Sequence, residues 1–191
     1  MNPEWRQAQD AWHVYSDELA QLATRLDAAS WQQLLDRLDG CRGKIVVSGV
    51  GTSGIAARKV AHMLACVERP AIYLSATDAA HGDLGFLRAE DLVILISRGG
   101  NSDELTRLLP TLLAKGVPLI AVTENPDSAI AQAAQLTLAT TSIILVLALF
   151  DAACACLMQR SGYDRRTLLA VHPGGDVGLS LRHAGDQPNG A

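Results

Sequence analysis

Along the first 40 residues, apolar side chains recur every three or four positions. Ala8, Trp12, Tyr15, Leu19, Leu22 and Leu26 share one face, and Arg6, Asp10, Asp17 and Arg25 fall between them. That spacing predicts a helix. Ser30 is expected to cap a second, shorter helix carrying Trp31, Leu34, Leu35 and Leu38 and closed by Gly40 and Gly43. From Lys44 onward the pattern changes to short, continuous apolar runs separated by helical stretches. Residues 44–50, 71–74, 91–97, 118–123 and 136–140 read as strands, and 55–67, 104–115, 128–134 and 143–159 read as helices. Strands apolar at successive positions are covered on both faces, which means a parallel sheet with crossover helices on each side. Right-handed crossovers make that sheet doubly wound. The expected fold is therefore α/β, a five-stranded doubly wound parallel sheet with N-terminal helices. The expected division is a helical arm over 1–40, the α/β domain over 41–182 and a polar tail over 183–191.

Composition narrows the function classes. A chain of 191 residues holds one such domain with a sizeable core. At 49% hydrophobic and 19% charged it is not a disordered chain. Aromatic residues make up 4%, the formal net charge is −4 and no run of Lys or Arg occurs, which argues against nucleic-acid binding. The longest apolar run, 143–150, falls far short of the ~20 residues needed to cross a bilayer, and the N-terminus carries no leader pattern. A cytoplasmic protein without membrane contact is expected. Cys41, Cys66, Cys154 and Cys156 lack CxxC or metal-ligand spacing and read as small apolar residues in a reducing compartment. No metal and no cofactor are expected.

In an open parallel sheet the binding crevice lies at the carboxyl ends of the strands, and the chemically unusual segments follow the expected strands. Gly49-Val-Gly-Thr-Ser-Gly54 leaves the first strand and opens a helix. Converging backbone N–H groups and the helix dipole make Gly51, Thr52 and Ser53 a candidate anion cradle. The GxGxxG spacing also admits a dinucleotide site, but the second strand ends in Leu74-Ser75 rather than an acidic residue. A tight structural turn is the third reading. Ser97-Arg-Gly-Gly-Asn-Ser-Asp-Glu104 follows the third strand and forms a second hydroxyl-bearing turn, with Ser97, Asn101 and Ser102 as anion-binding candidates. Glu104 stands three residues after Asn101, so it either completes a capping box or acts in catalysis. His81, between small residues in 79–85, is either a solvated loop residue or an acid/base group. His172 precedes Pro173, which sets it in extended backbone, and is favoured as functional. His13, His62 and His183 have no comparable setting.

Taken in order, GVGTSG, AAHGDLG, SRGGNSDE and VHPGG resemble the SIS (sugar isomerase) domain, and within it the arabinose-5-phosphate isomerase group, over about residues 34–181. The resemblance implies aldose–ketose isomerisation between arabinose 5-phosphate and ribulose 5-phosphate through a cis-enediol, in a homotetramer with sites shared between subunits. It makes Ser53, Ser97 and Ser102 phosphate-binding residues and His81, Glu104 and His172 active-site residues, with His172 entering a neighbouring subunit's site. The chain departs from the family pattern where Thr52 replaces a lysine and where 140–142 replaces a loop that carries a glutamate. The second turn reads Arg98-Gly99-Gly100 where the family usually has a serine, so Arg98 and Gly99 change the anion site, and Arg98 offers a phosphate contact. Many members carry a following CBS pair; this chain reads as a SIS-only version. The alternative expectation is a phosphosugar-binding or sensing domain with little or no turnover.

Overall fold

A computed structural model describes residues 2–174. Five parallel strands, β1 (Ile45–Gly49), β2 (Ala71–Ser75), β3 (Leu92–Ile96), β4 (Leu119–Val122) and β5 (Leu136–Leu138), form one sheet in the order β2-β1-β3-β4-β5. In β1 and β3, Ile45 pairs with Leu92 and Gly49 with Ile96, so their carboxyl ends are level. The helices are α1 (Pro3–Arg25), α2 (Ala28–Asp39), α3 (Thr52–Cys66), α4 (Ala76–Ala80), α5 (Asp103–Thr106), α6 (Leu109–Ala114), α7 (Ala129–Ala133), α8 (Ile143–Ser161) and α9 (Arg165–Val171). The sheet, its parallel sense and its helix-covered faces are as the apolar pattern predicts.

Alternation along the strands sorts the core into two layers. Val47, Ile94, Ile96, Ile120 and Val122 face α2, α3 and α8, where Leu34, Leu64, Phe150 and Leu157 complete the packing. Val46, Val93, Leu95, Leu119 and Ala121 face the other way, onto Leu105, Leu108, Leu112 and Ile130 of the shorter helices. Helix α8 has the length and apolarity to cross a membrane, yet Leu145, Val146, Leu149, Phe150, Ala153, Cys154 and Leu157 are buried in this core. Its burial against α3 accounts for that composition.

Several local expectations are corrected. The cap of α2 is Asp27, not Ser30: the Asp27 carboxylate accepts from the Ser30 N–H at 2.8 Å, and the Ser30 hydroxyl donates to it at 2.6 Å. The stretch 104–115 is two helices, because Pro110 is accommodated only in a first turn and so begins α6. Residues 79–85 are not one loop; Ala79 and Ala80 end α4, and a 3-10 turn spans Asp83–Phe86. Helix α1 buries no residue fully; Leu22 and Leu26 rest on the core, while Trp5 and Trp12 stay exposed and meet edge to face at 5.5 Å.

The amino ends of β1 and β3 are fastened by Asp91, which is only 2% exposed. It accepts from the Lys44 N–H at 2.9 Å, the Arg88 N–H at 2.8 Å and the Lys44 ammonium at 2.6 Å. Burial pushes its carboxyl upward, but the Lys44 ammonium and the two N–H donors outweigh that and hold it below the usual carboxylate range.

Candidate active site

The first glycine-rich turn joins β1 to α3. A side chain at Gly49 would stand 2.7 Å from the Ser53 carbonyl oxygen, and one at Gly54 would stand 2.8 Å from the Gly49 carbonyl oxygen. Two of the three glycines therefore serve close packing of α3 on β1. Gly51 is the cap of α3, with φ 57° and no side chain to bond the first N–H groups. Thr52 and Ser53 fill the opening positions of this 15-residue helix, so hydroxyls and the positive end of the dipole face outward together.

The second turn, between β3 and α5, folds onto itself. The buried Ser97 hydroxyl lies 3.1 Å from that of Ser102 and accepts from the Gly100 N–H at 3.1 Å. The capping box expected from Asn101 and Glu104 is absent: Asn101 Oδ1 accepts from the Ala129 N–H at 2.9 Å, tying the turn to α7, and Ser102 is the cap of α5. The Arg98 carbonyl accepts from Thr123 Oγ1 at 2.8 Å, and its exposed guanidinium donates to Glu124 at 3.1 Å.

Between these turns and the start of α8 lies a cavity of about 360 Å³ whose wall includes Tyr15, Thr52, Ser53, Arg98 and Thr141. It stands over the carboxyl ends of β3 and β4, whose Ile96 and Val122 line it, beside the turn that leaves β1; the carboxyl ends of the strands are where open α/β sheets bind ligands. Ser142 caps α8 by accepting from the Leu145 N–H at 3.3 Å. Two long helices thus present their amino ends to one hollow. Glu18 of α1 reaches the same rim and accepts from the Thr141 hydroxyl at 2.5 Å and from Arg25 Nη1 at 2.8 Å. The Thr141 bond and then the Arg25 bond hold its carboxyl below the usual range.

The expected residues are only partly gathered here. Thr52 and Ser53 line the cavity, whereas Gly51 lines a neighbouring hollow above β1 and β2 with Tyr73 and Ser75. Ser97, Asn101 and Ser102 form the adjoining turn. His81, at the end of α4, and Glu104, in the first turn of α5, are exposed and are not part of this cavity wall. His172 ends α9 half-buried, its Nδ1 3.2 Å from the Leu168 carbonyl, and lines a separate cavity with His62, Cys66 and Cys154. Within one chain, His172 does not meet Ser53 in one cavity. Gly175, His183 and the polar tail lie outside the described residues, and among the described residues no group of His, Cys, Asp or Glu is arranged to hold a metal. Tyr15, Glu18 and Thr141 escape the sequence reading. The run Thr140-Thr141-Ser142 before an apolar helix is itself an N-terminus signature.

Relatives share this fold. The SIS domain profile matches residues 40–160. Arabinose 5-phosphate isomerase KpsF of Escherichia coli O6:H1 is 33% identical over 180 residues, covering 87% of this chain and 55% of that protein. The chain spans about half the length of the curated relatives it matches. A candidate sugar-phosphate isomerase from Listeria monocytogenes has a structure with TM-score 0.85 at 39% identity, covering 91% of this chain and 100% of that one. An Escherichia coli CFT073 protein in complex with arabinose 5-phosphate has TM-score 0.79 at 31% identity, with the same coverage. With the profile spanning the sheet and both glycine-rich turns, the chain belongs to the SIS domain family.

Proposed function

We propose that this chain is a phosphosugar aldose–ketose isomerase of the arabinose 5-phosphate/ribulose 5-phosphate type. The observation that carries this reading is the cavity at the carboxyl ends of β3 and β4, into which the start of α3, with Ser53, opens beside Arg98. A phosphate monoester suits a helix amino end, a hydroxyl and a guanidinium. Held there, it anchors the sugar at a point remote from the reacting carbons. Ser97, Asn101 and Ser102 extend the phosphate site, together with Gly51 and Thr52. Isomerisation removes the proton from C2 of the aldose and returns it to C1, with a cis-enediol between; the reaction is internally redox-neutral and consumes no cofactor. Glu104 or His81 serves as base, and a histidine opens the ring and shuttles the oxygen-bound protons. Since His81, Glu104 and His172 stand apart from the cavity of their own chain, the working unit is a homotetramer in which His172 completes a neighbour's site. The protein acts in the cytoplasm. Relatives at 33–35% identity named as isomerases support turnover over a purely sensing role.

The test is to incubate the purified chain with arabinose 5-phosphate in D2O and follow ketose formation and exchange at C2 by NMR, with the mass of the assembly taken from light scattering. Ketose and exchange are expected, with kcat falling about 10²–10⁴-fold in His81→Ala or Glu104→Gln. A chain that binds the sugar phosphate and yields neither ketose nor exchange overturns the enzymatic reading.

A further inference from the structure

The cavity wall carries two chemically unlike sets of groups. One is the Arg98 guanidinium, which also donates to Glu124 at 3.1 Å, the Ser53 hydroxyl and the start of α3, which no side chain caps. The other is Thr141, whose hydroxyl is already committed: it donates to Glu18 on α1. A threonine hydroxyl has one proton and two lone pairs, so Thr141 offers the cavity acceptors only. Behind it the Glu18 carboxylate is held by Arg25 Nη1 at 2.8 Å, and Arg25 Nη2 is steadied by Gln21 at 2.7 Å. Glu18 thereby supplies the negative charge that the amino end of α8 favours, and that end is no longer vacant for a phosphate. Tyr15, three residues before Glu18 and on the same face of α1, closes the wall beside it.

We propose that the Glu18–Thr141 pair sets the direction in which substrate lies, taking the donor hydroxyls of the sugar and turning the phosphate toward Arg98 and Ser53. This rests on the phosphosugar reading above. A phosphate dianion at Thr141 meets lone pairs and a carboxylate, whereas a sugar O–H finds acceptors aimed at it. Glu18 acts through Thr141 and is a positioning residue; the arm that carries it is part of the site.

Calorimetric titration of the full chain with arabinose 5-phosphate and, separately, with inorganic phosphate tests this. Thr141→Val and Glu18→Gln are each expected to weaken the pentose phosphate about tenfold and to leave inorganic phosphate within about twofold. The double variant is no weaker than the weaker single one, because one residue works through the other. Thr141→Ser restores wild-type affinity, which separates the hydroxyl's role from any disturbance of folding. Ser53→Ala, by contrast, weakens both ligands together. Parallel loss of both ligands in Thr141→Val, or additive effects in the double variant, overturns the proposal. Failure of wild-type protein to bind the pentose phosphate at all sinks the underlying phosphosugar reading instead.

Discussion

Gly100, in the second glycine-rich turn, is the position where an added methyl group has least room. Its φ of +69° is left-handed, and a Cβ built there stands 2.0 Å from Ser128 Oγ, 2.4 Å from Ser128 Cβ and 2.9 Å from Thr123 Oγ1. Ser128 has little room to swing aside: it is fully buried at the start of α7, and its hydroxyl donates to the Asn125 carbonyl at 2.7 Å. The left-handed backbone costs a non-glycine residue about 1–2 kcal/mol, and overpacking a buried contact adds about 1–3 kcal/mol. Gly100→Ala should therefore destabilise by about 2–5 kcal/mol, read as a lower urea midpoint at unchanged slope. Gly99 is the internal control, since nothing lies within 4 Å of a Cβ there and its φ is not positive. Gly99→Ala is expected to stay within about 0.5 kcal/mol of wild type. Equal midpoints for the two variants, or a Gly100→Ala midpoint at the wild-type value, refute the steric argument.

Three further outcomes are expected. Ser53→Ala should raise KM for arabinose 5-phosphate and the inhibition constant of inorganic phosphate alike, by about 10–100-fold, since a hydrogen bond to a charged group is lost at the start of α3; steady-state kinetics with phosphate as competitor reads both. Asp91 has a folded carboxyl below its ordinary value, so its stabilisation is present above the usual carboxylate range and lost as pH falls through the folded value. The gap in urea midpoint between wild type and Asp91→Asn should accordingly shrink between about pH 5 and pH 3. Phe150 of α8 is 0% exposed, and Phe150→Ala should cost about 3–5 kcal/mol in urea unfolding.

The alternation of strands and helices is legible because each core strand is apolar at successive positions, a pattern a half-solvated strand cannot have. Capping was less legible. Asp27 and Ser30 are both good caps, and what decides is that the Ser30 hydroxyl donates to the carboxylate, a relation between two residues rather than a property of either. Asn101 and Glu104 have capping-box spacing, yet Asn101 is drawn away by an N–H 28 positions distant. The glycine-rich turns and Ser53 were visible, because local sequence builds them. The wall contributed by α1 was not: Glu18 and Thr141 are 123 positions apart, and Tyr15 is one more apolar position in a helical stripe. His172 lines a cavity apart from Ser53, and His81 and Glu104 are exposed, placements that spacing along the chain does not express.

Helix α1 lies against the cavity while burying no residue fully. The rest of the wall comes from the ends of β3 and β4, the starts of α3 and α8, and the turns carrying Arg98 and Thr141. The arm is therefore the part of the wall that surface substitutions can reshape without disturbing the core.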